Sequence, residues 1–347
     1  MRIIVCGPRC YNYSSSIVTA LRELGHEALY FPMTDFYVEC SYLVRKLYKM
    51  GCGVLKRRWL AKWEKQFSDY LRAHYDGDRD GVKTVVWILT PNLLDETMLK
   101  KLAQYRKVLF LWDSIKRSQV DLLPRLQYYE RVYAFEYHDV DYIKSTAKKT
   151  DVYYLPLGYD EKIYYPSAKE RDIDICFVGL GSNERVKILN EVAGFAWENH
   201  YKMVVVGNWY DKRHFWKRAG FKRKYPQLYA CIQNHLIDAA EVASLYQRSK
   251  ICLNLNTPIH KSISPRTFEI LATRSFQIIN SGQQLGGMVA PGEDLVEFTD
   301  TEDLLHVLQY YLQHPREREQ IAASGYDRVS GRYSIKELCK RGLQEMA

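Results

Sequence analysis

The segment around Arg266 combines residue types that could bind a phosphorylated ligand. Pro265 suits the first turn of a helix, and Ser264 suits its N-cap. The free amides of that helix terminus, with Lys261 and Arg266 beside them, would favour a diphosphate. Glu269 follows about one turn further on, where its carboxylate could accept two hydrogen bonds from a ribose diol. The spacing predicts a nucleoside diphosphate site, and an exposed helix with a salt-bridged Arg and Glu is the alternative.

A glycine-containing turn supplies a second candidate phosphate contact. It follows the apolar run Asp174–Val178 and precedes a predicted helix, so its backbone amides could approach a phosphate from the other side. The residues concerned are Gly179, Gly181, Ser182, Asn183 and Arg185. Glu184 stands where a dinucleotide fingerprint needs its third glycine. A simple tight turn is therefore the alternative.

Both segments must be positioned by buried strands, and apolar runs rich in Val, Ile and Phe predict them. The first set is Ile3–Cys6, Ala28–Phe31, Thr84–Leu89, Val108–Trp112, Val132–Phe135 and Val152–Leu155. The second set is Asp174–Val178, Met203–Val206, Ile251–Leu255 and Phe276–Ile279. Helical stretches separate the runs, which predicts two Rossmann-like, doubly wound α/β domains. Between the first two runs, Ser14–Ser16 are expected to cap a helix that Gly25 ends.

The link between the two sets contains Pro156, Gly158 and Pro166, which favour a turn over a helix or strand. We therefore expect an N-terminal domain over residues 1–158 and a C-terminal domain over residues 159–330. A cleft between two such domains is the default ligand site.

The carboxyl ends of the N-terminal strands carry the candidate catalytic groups. Asp113 follows one predicted strand and is the first candidate for a general base, with a helix-capping role as the alternative. Glu136 and His138 follow the next strand and are the further candidates. The turn after the first strand contains Gly7 and Arg9 and is expected to border the cleft. Arg9 could there contact an anionic ligand, such as a phosphate.

Composition narrows the class of protein. The 347 residues are 47% hydrophobic and 26% charged, which is typical of globular proteins, and the net charge of +9 favours an anionic partner. No apolar run approaches the ~20 residues of a membrane span, and the first residues enter a strand, so a cytoplasmic protein is expected. The eight cysteines form no CxxC pair, and the DGDRDG motif lacks the acidic residue that closes a calcium loop. No metal site and no resident cofactor are predicted.

Two basic stretches contain aromatic residues, at residues 55–67 and 212–224. In the first, apolar residues at helical spacing predict a helix packed on the core, and a helix resting on the anionic inner face of a membrane is the alternative. The second is interpreted as a solvated loop or helix, with acceptor or peripheral membrane contact as the alternative. No nucleic-acid-binding motif accompanies either stretch, so no nucleic acid partner is expected.

The run Ser264–Thr273, followed by the strand Ser275–Asn280, resembles the signature of the spore maturation protein CgeB-like group of glycosyltransferases (glycosyl transferases group 1). Tyr154–Asp160, Asp174–Gly179 and Glu319–Arg332 agree with it in order, so the resemblance covers roughly the last 190 residues. It implies a GT-B fold with two Rossmann-like domains, and a metal-independent hexosyltransferase of class EC 2.4. The implied partners are a nucleotide-sugar donor as co-substrate and a glycan, lipid-linked or protein acceptor, in the setting of bacterial surface polysaccharide assembly.

By the same resemblance, Lys261 and Arg266 would neutralise the diphosphate leaving group and Glu269 would hold the ribose. Ser264 and Thr267 belong to the same donor-binding run, and Gly179–Asn183 would line the phosphate side. Residues 331–347 would form a helix that crosses back to the first domain, as in many GT-B chains.

Many retaining GT-B enzymes carry two glutamates separated by seven residues around this helix; counting back from Glu269 reaches Lys261, so the first glutamate is absent. Retention and inversion of the anomeric centre therefore both stay open. A non-catalytic nucleotide-sugar or glycan-binding protein and a nucleotide-sugar epimerase are the alternatives within the fold.

Overall fold

The structure is a computed structural model that describes residues 1–9, 12–34, 36–75, 82–117, 121–211, 213–256 and 261–344. The DGDRDG motif, residue 212 of the second basic stretch and residues 257–260 lie outside the described residues. The chain divides into two compact units. The first comprises Met1–Leu157 and Ile335–Ala347, and the second comprises Gly158–Ser334.

The first unit is built on a six-stranded parallel sheet of order β2-β1-β3-β4-β5-β6. Its strands are β1 (Arg2–Gly7), β2 (Glu27–Pro32), β3 (Thr84–Ile88), β4 (Lys107–Leu111), β5 (Arg131–Ala134) and β6 (Val152–Tyr154). Its helices include α1 (Tyr13–Glu23), α2 (Phe36–Glu39), α3 (Tyr42–Lys49), α4 (Gly53–His74), α5 (Glu96–Lys101) and α6 (Tyr137–Thr146). Short 3-10 helices occupy Ile115–Arg117 and Leu123–Tyr128. Helices cover both faces of the sheet, which explains why its strands are largely apolar beyond their first residues.

The prediction that Ser14–Ser16 cap the first helix is wrong. The N-cap is Asn12, whose backbone is left-handed with φ of 55°, and no side chain caps the helix. Ser14 is instead buried inside the helix, where its hydroxyl donates to the carbonyl of Pro8 over 2.8 Å. The predicted end of the helix is confirmed, because Gly25 follows it with φ of 82°.

The basic stretch at residues 55–67 forms part of α4, and its aromatic side packs on the core as predicted. Trp63 and Phe67 are buried, and their ring centroids lie 6.3 and 4.9 Å from that of Phe31 on β2. The apolar side of this part of α4 is therefore occupied by the sheet.

The second unit holds another six-stranded parallel sheet, of order β12-β11-β10-β7-β8-β9. Its strands are β7 (Ile173–Val178), β8 (Met203–Val206), β9 (Ile232–Gln233), β10 (Ser249–Asn254), β11 (Phe276–Asn280) and β12 (Val296–Phe298). Its helices are α7 (Asn183–Glu198), α8 (Phe215–Lys224), α9 (Pro226–Cys231), α10 (Ala239–Gln247), α11 (Pro265–Ala272), α12 (Thr301–Gln313) and α13 (Pro315–Val329). The chain leaves β7 towards β8 on one side and returns with β10 on the other, so the strand order reverses between β7 and β10. In open α/β sheets, ligands bind at the carboxyl ends of strands at such a point.

The last helix, α14 (Ile335–Gln344), belongs to the first unit. Its buried side chains Leu338 and Leu343 join the apolar cluster that contains Ile17 of α1. The hydroxyl of buried Tyr133 on β5 donates to the carbonyl of Gly342 over 2.7 Å. Among the described residues, no helix combines the length and the apolar character that a membrane span requires.

Candidate functional site

Two arginines gather around one aromatic ring where the strand order of the second sheet reverses. Arg185 lies in the first turn of α7, directly after β7, and Arg266 lies in the first turn of α11, after β10. Their guanidinium carbons are 5.5 and 5.7 Å from the ring centroid of Phe177, a buried residue of β7. Adjacent parallel strands thus deliver two cations to one place.

Neither arginine forms an ion pair with a carboxylate in the part of the chain that the structure describes. Arg185 donates to the backbone carbonyls of Leu255 and Leu180, at 2.7 and 2.9 Å. Arg266 donates to the side-chain oxygen of Asn254 at 3.1 Å. Burial, followed by the charge of Arg266, lowers the pKa of Arg185 to about 10. Two desolvated like charges that are held by neutral acceptors favour an anionic ligand.

The turn before α7 keeps the backbone close to this pair. Ser182 is the N-cap of α7, and its hydroxyl accepts a hydrogen bond from the backbone amide of Arg185 at 3.3 Å. A Cβ atom on Gly179 would stand 3.0 Å from the Phe177 ring and 3.4 Å from the Arg266 guanidinium. The helix begins at Asn183, so its first amides open at the same edge of the sheet as the arginines.

The backbone that follows β8 packs closely against the turn before α7. The backbone of Gly207, after β8, has φ of 140°. A Cβ atom there would collide with the carbonyl of Gly179, and one on Gly181 would lie 3.1 Å from the backbone of Trp209. These close approaches explain why glycine occupies both sides of the contact.

Asn254 connects the end of β10 to the first turn of α11. This fully buried residue ends β10, and its side-chain amide donates to the hydroxyl of Thr267 at 3.0 Å while its oxygen accepts from Arg266. Thr267 is itself buried. The arrangement fixes the first turn of α11, so the direction of the Arg266 side chain is set by buried hydrogen bonds.

Glu269 lies one turn into α11 beside two tyrosines. It hydrogen-bonds to Tyr164, and its charge is close enough to influence Arg266 and the fully buried Tyr246. The residue keeps partial surface exposure, yet desolvation by the surrounding protein raises the pKa of its carboxyl to about 7, against the lowering effects of Arg266 and Tyr164. The carboxylate is thus poised to change its charge near neutral pH.

The two other predicted residues of this run occupy different surroundings. Ser264 is the N-cap residue of α11, but its side chain makes no capping bond, and its buried hydroxyl has no hydrogen-bond partner among the described residues. The predicted N-cap position of Ser264 is confirmed, but the side-chain capping bond is absent, because Pro265 has no amide and the amide of Thr267 donates to the Ser264 carbonyl instead. Lys261 is exposed, and its carbonyl accepts from Gln284.

In the first unit, a second polar cluster forms where β4 and β5 end. Glu136 and Asp139 are buried, and His138 between them is 25% exposed. His138 Nε2 lies 3.3 Å from Asp139 Oδ1, and Nδ1 lies 3.5 Å from Glu136 Oε2. Asp139 also accepts from the Ser114 hydroxyl at 3.2 Å and the Ile115 amide at 2.8 Å. An imidazole bracketed by two carboxylates can accept and pass on a proton.

Asp113, the first candidate base, stands apart from the buried part of this cluster. Its side chain is exposed and accepts from the amide of Ser114 at 2.9 Å, whereas the amide of Lys116 inside the following 3-10 helix donates to the Ser114 hydroxyl at 3.3 Å. Burial raises the pKa of the neighbouring carboxyl of Asp139, opposed by the Ile115 amide and by His138.

The turn after β1 lies at the point where the strand order of the first sheet reverses. A Cβ atom on Gly7 would stand 2.6 Å from the Ser14 hydroxyl, so glycine is required for α1 to approach the strand. Arg9 is exposed beyond this turn.

Comparison of the sequence with known proteins shows which family and which relative it resembles. The glycosyl transferase-like family matches residues 185–343, which include both arginines. The spore protein CgeB of Bacillus subtilis is 19% identical over 202 residues, which cover 54% of this chain and 59% of that protein. Over these stretches the chain resembles the glycosyl transferase-like family and CgeB.

Solved structures establish the fold over the whole length. The sucrose-phosphate synthase of Thermosynechococcus elongatus superposes with a TM-score of 0.70 at 15% identity, covering 100% of this chain and 98% of that one. HepE of Anabaena, solved with UDP and glucose, gives a TM-score of 0.67 at 10% identity, with coverage of 100% and 99%. The predicted GT-B fold, with two Rossmann-like units, is confirmed.

Several residues of this GT-B chain were not among the predicted site residues: Ser114, Asp139, Tyr164, Phe177, Tyr246 and Asn254. Asn254 ends an apolar strand, so the rule that picked Asp113 could also have found it. Asp139 lies inside a helix, and Tyr164 reaches α11 from a distant segment, so neither carries a local signal. Within the described residues, no group of three or more His, Cys, Asp or Glu side chains is arranged to hold a metal ion.

Proposed function

We propose that this chain is a glycosyltransferase that moves a sugar from a nucleotide-sugar donor to an acceptor hydroxyl. The observation that carries the proposal is the pair Arg185 and Arg266, two partly desolvated cations with no carboxylate ion pair in the described residues. Such a pair, at the N-termini of two helices, suits the two negative charges of a nucleotide-sugar diphosphate.

The arginines would act mainly on the leaving group. As the bond between the anomeric carbon and the distal phosphate oxygen breaks, that oxygen takes the electron pair, and the diphosphate gains negative charge. Cations already in place stabilise this charge without reorganisation. We therefore propose a metal-independent departure of the nucleoside diphosphate, with Arg185 and Arg266 on its phosphates.

Glu269 would hold the ribose. When ionised, its carboxylate can accept hydrogen bonds from both ribose hydroxyls, and the Tyr164 hydroxyl already orients it. Asn254 and Thr267 would keep the first turn of α11 in the position that this contact needs.

The acceptor is proposed to be a glycan, a lipid-linked sugar or a protein, in surface polysaccharide assembly. Its hydroxyl must lose a proton as it bonds to the anomeric carbon. His138 is the proposed base in an inverting reaction. Asp139, 3.3 Å from Nε2, would stabilise the imidazolium that forms, and Nδ1, which makes no hydrogen bond among the described residues, would take the proton.

The comparisons suggest which donor to try first. HepE of Anabaena, which shares the fold, was solved with UDP-glucose. Uridine diphosphate sugars are therefore the first donors that we propose to test.

Calorimetric titration with UDP, GDP, dTDP and CMP, alone and as sugar conjugates, tests the proposal. We expect selective binding of one nucleotide, and loss of that binding in Glu269→Ala. Release of free nucleoside diphosphate in the presence of an acceptor then separates transfer from the alternatives. Binding without turnover would indicate a non-catalytic protein, conversion of the sugar without acceptor would indicate an epimerase, and no binding at all would refute the donor site.

A further inference from the structure

A cluster of exposed apolar side chains lies on α3 and at the start of α4. Leu43 and Met50 are 69% and 73% exposed, and Leu47 lies between them at helical spacing on the same side of α3. Tyr42 and Val54 extend the exposed set at either end. We call these five residues the α3 patch. Contiguous exposed apolar surface of this kind marks an interaction site.

The α3 patch is not the side on which the helix packs. Tyr48 is half-buried, and its ring centroid lies 5.3 Å from that of Phe36, a fully buried residue of α2. Val44, which is also half-buried, lies one turn from Tyr48 on the same side of the helix. The contacts of α3 with the unit are thus made by one side, and the α3 patch faces away from them.

The segment that carries the patch is strongly cationic, with Glu39 and Glu64 at its two ends. Residues 40–63 contain seven cationic side chains and not one Asp or Glu: Arg45, Lys46, Lys49, Lys56, Arg57, Arg58 and Lys62. Lys46 and Lys49 alternate with the apolar residues along α3, and Lys56 and Arg57 are exposed just beyond Val54. This short segment carries most of the excess charge of a chain whose net charge is +9.

From this juxtaposition we propose that the α3 patch docks the protein on an anionic lipid bilayer. The apolar side chains enter the boundary between headgroups and acyl chains, and the surrounding lysines and arginines contact the headgroups. The apolar side chains of this surface precede the stretch at residues 55–67, whose aromatic side is buried in the core and whose exposed cations border the patch. The inference does not depend on the proposed transferase activity.

Charge argues against a second copy of the chain as the occupant. A two-fold interface through the α3 patch would bring the same cationic segment of both copies together, with no carboxylate between residues 40 and 63 to compensate. A nucleic acid would satisfy the cations but would leave Leu43, Leu47 and Met50 without an apolar partner. A bilayer with anionic lipids meets both requirements.

Sedimentation with sucrose-loaded vesicles tests the proposal on the full chain. Vesicles of phosphatidylcholine with about 30 mol% phosphatidylglycerol are compared with pure phosphatidylcholine. We expect binding to the anionic vesicles that weakens with salt. Leu43→Ser/Leu47→Ser/Met50→Ser, and separately Lys46→Gln/Lys49→Gln/Arg57→Gln, should each lower the partition coefficient about tenfold or more.

Matched substitutions elsewhere distinguish the effect of the α3 patch from that of exposed apolar and cationic residues in general. Leu236→Ser, at a residue 63% exposed, and Lys222→Gln/Arg223→Gln/Lys224→Gln on α8 should leave vesicle binding within about twofold of wild type. Circular dichroism confirms that each variant is folded. Absence of binding to anionic vesicles would overturn the proposal, and so would equal loss in the control variants. Self-association without lipid that the serine variant abolishes would assign the patch to a second copy instead.

Discussion

Arg185 and Arg266 share one aromatic ring, with their guanidinium carbons 5.5 and 5.7 Å from the centroid of Phe177. The two residues are far apart in sequence, and the parallel strands β7 and β10 bring them together. Burial and, after it, the charge of Arg266 lower the pKa of Arg185. Such an arrangement is typical of a site that is completed by an anion.

The first prediction concerns this pair. Arg185→Gln and Arg266→Gln should each raise the Kd for the bound nucleoside diphosphate about 10- to 100-fold, because each removes charge-assisted hydrogen bonds to phosphate. The free energy of unfolding of Arg266→Gln should stay within about 1 kcal/mol of wild type, since the variant also relieves the repulsion between the cations. Calorimetry measures the Kd, and urea unfolding measures the stability.

Arg248→Gln is the matched control for the arginine variants. Arg248 pairs with Asp172 at 2.6 Å, just before the amino end of β10, and should have no effect on the Kd. If Arg266→Gln unfolds the protein while Arg185→Gln leaves nucleotide binding intact, the pair has a structural role and the donor site must be sought elsewhere.

The second prediction concerns pH and Glu269. Its pKa in the folded protein, about 7, is above the value of 4.5 expected for an exposed carboxyl, so the folded state holds a proton that the unfolded state releases. The resulting stabilisation is fully present below about pH 4.5 and is lost as the pH rises through 7. Relative to Glu269→Gln, the wild type should lose up to about 3 kcal/mol between pH 4.5 and pH 8, measured by urea unfolding.

The same titration should control donor binding in the opposite direction. The ionised carboxylate is the better acceptor for ribose hydroxyls, so affinity for a nucleotide-sugar should rise between about pH 6 and pH 8, and Glu269→Gln should remove this dependence. Tyr164→Phe should move the midpoint to higher pH, because the Tyr164 hydroxyl lowers the Glu269 pKa. An affinity that is flat with pH in the wild type would argue against a ribose contact.

The third prediction tests the close approach of the Gly207 backbone to the carbonyl of Gly179, in the turn before α7. Gly207→Ala should destabilise the protein by at least about 2 kcal/mol and weaken nucleotide binding, because its Cβ would push the Gly179 carbonyl out of place and φ is 140°. Gly194→Ala is the control in the same unit. It lies inside α7 with open space around it, so alanine should stabilise the protein by about 0.5–1 kcal/mol.

The sequence predicts most of the fold because buried parallel strands are apolar along their length. The short edge strands β9 and β12, of two and three residues, were not predicted, since so few residues show no periodicity. The Ser14–Ser16 cap failed for a different reason. Serine commonly caps helices, but here Ser14 is the second residue of the helix, and its hydroxyl donates to the Pro8 carbonyl.

The site was predictable only where its residues are neighbours in sequence. Glu269 and Arg266 lie within one turn of α11, and the spacing alone placed them together. The contact of Arg185 with the carbonyl of Leu255, and that of Tyr164 with Glu269, depend on how distant segments pack. No local pattern encodes those contacts.

The last prediction assigns the proton transfer to His138. If the reaction inverts, His138→Asn should lower kcat about 100-fold or more while the nucleotide Kd stays unchanged, because His138 belongs to the first unit and the donor residues belong to the second. Asp139→Asn should lower kcat less and shift the pH profile of kcat, since Asp139 Oδ1 lies 3.3 Å from His138 Nε2 and acts through it.

His306→Asn, at an exposed position of α12, is the control. Steady-state kinetics over pH provide the measurement, and loss of kcat in Asp113→Asn with full activity in His138→Asn would move the role of base to Asp113.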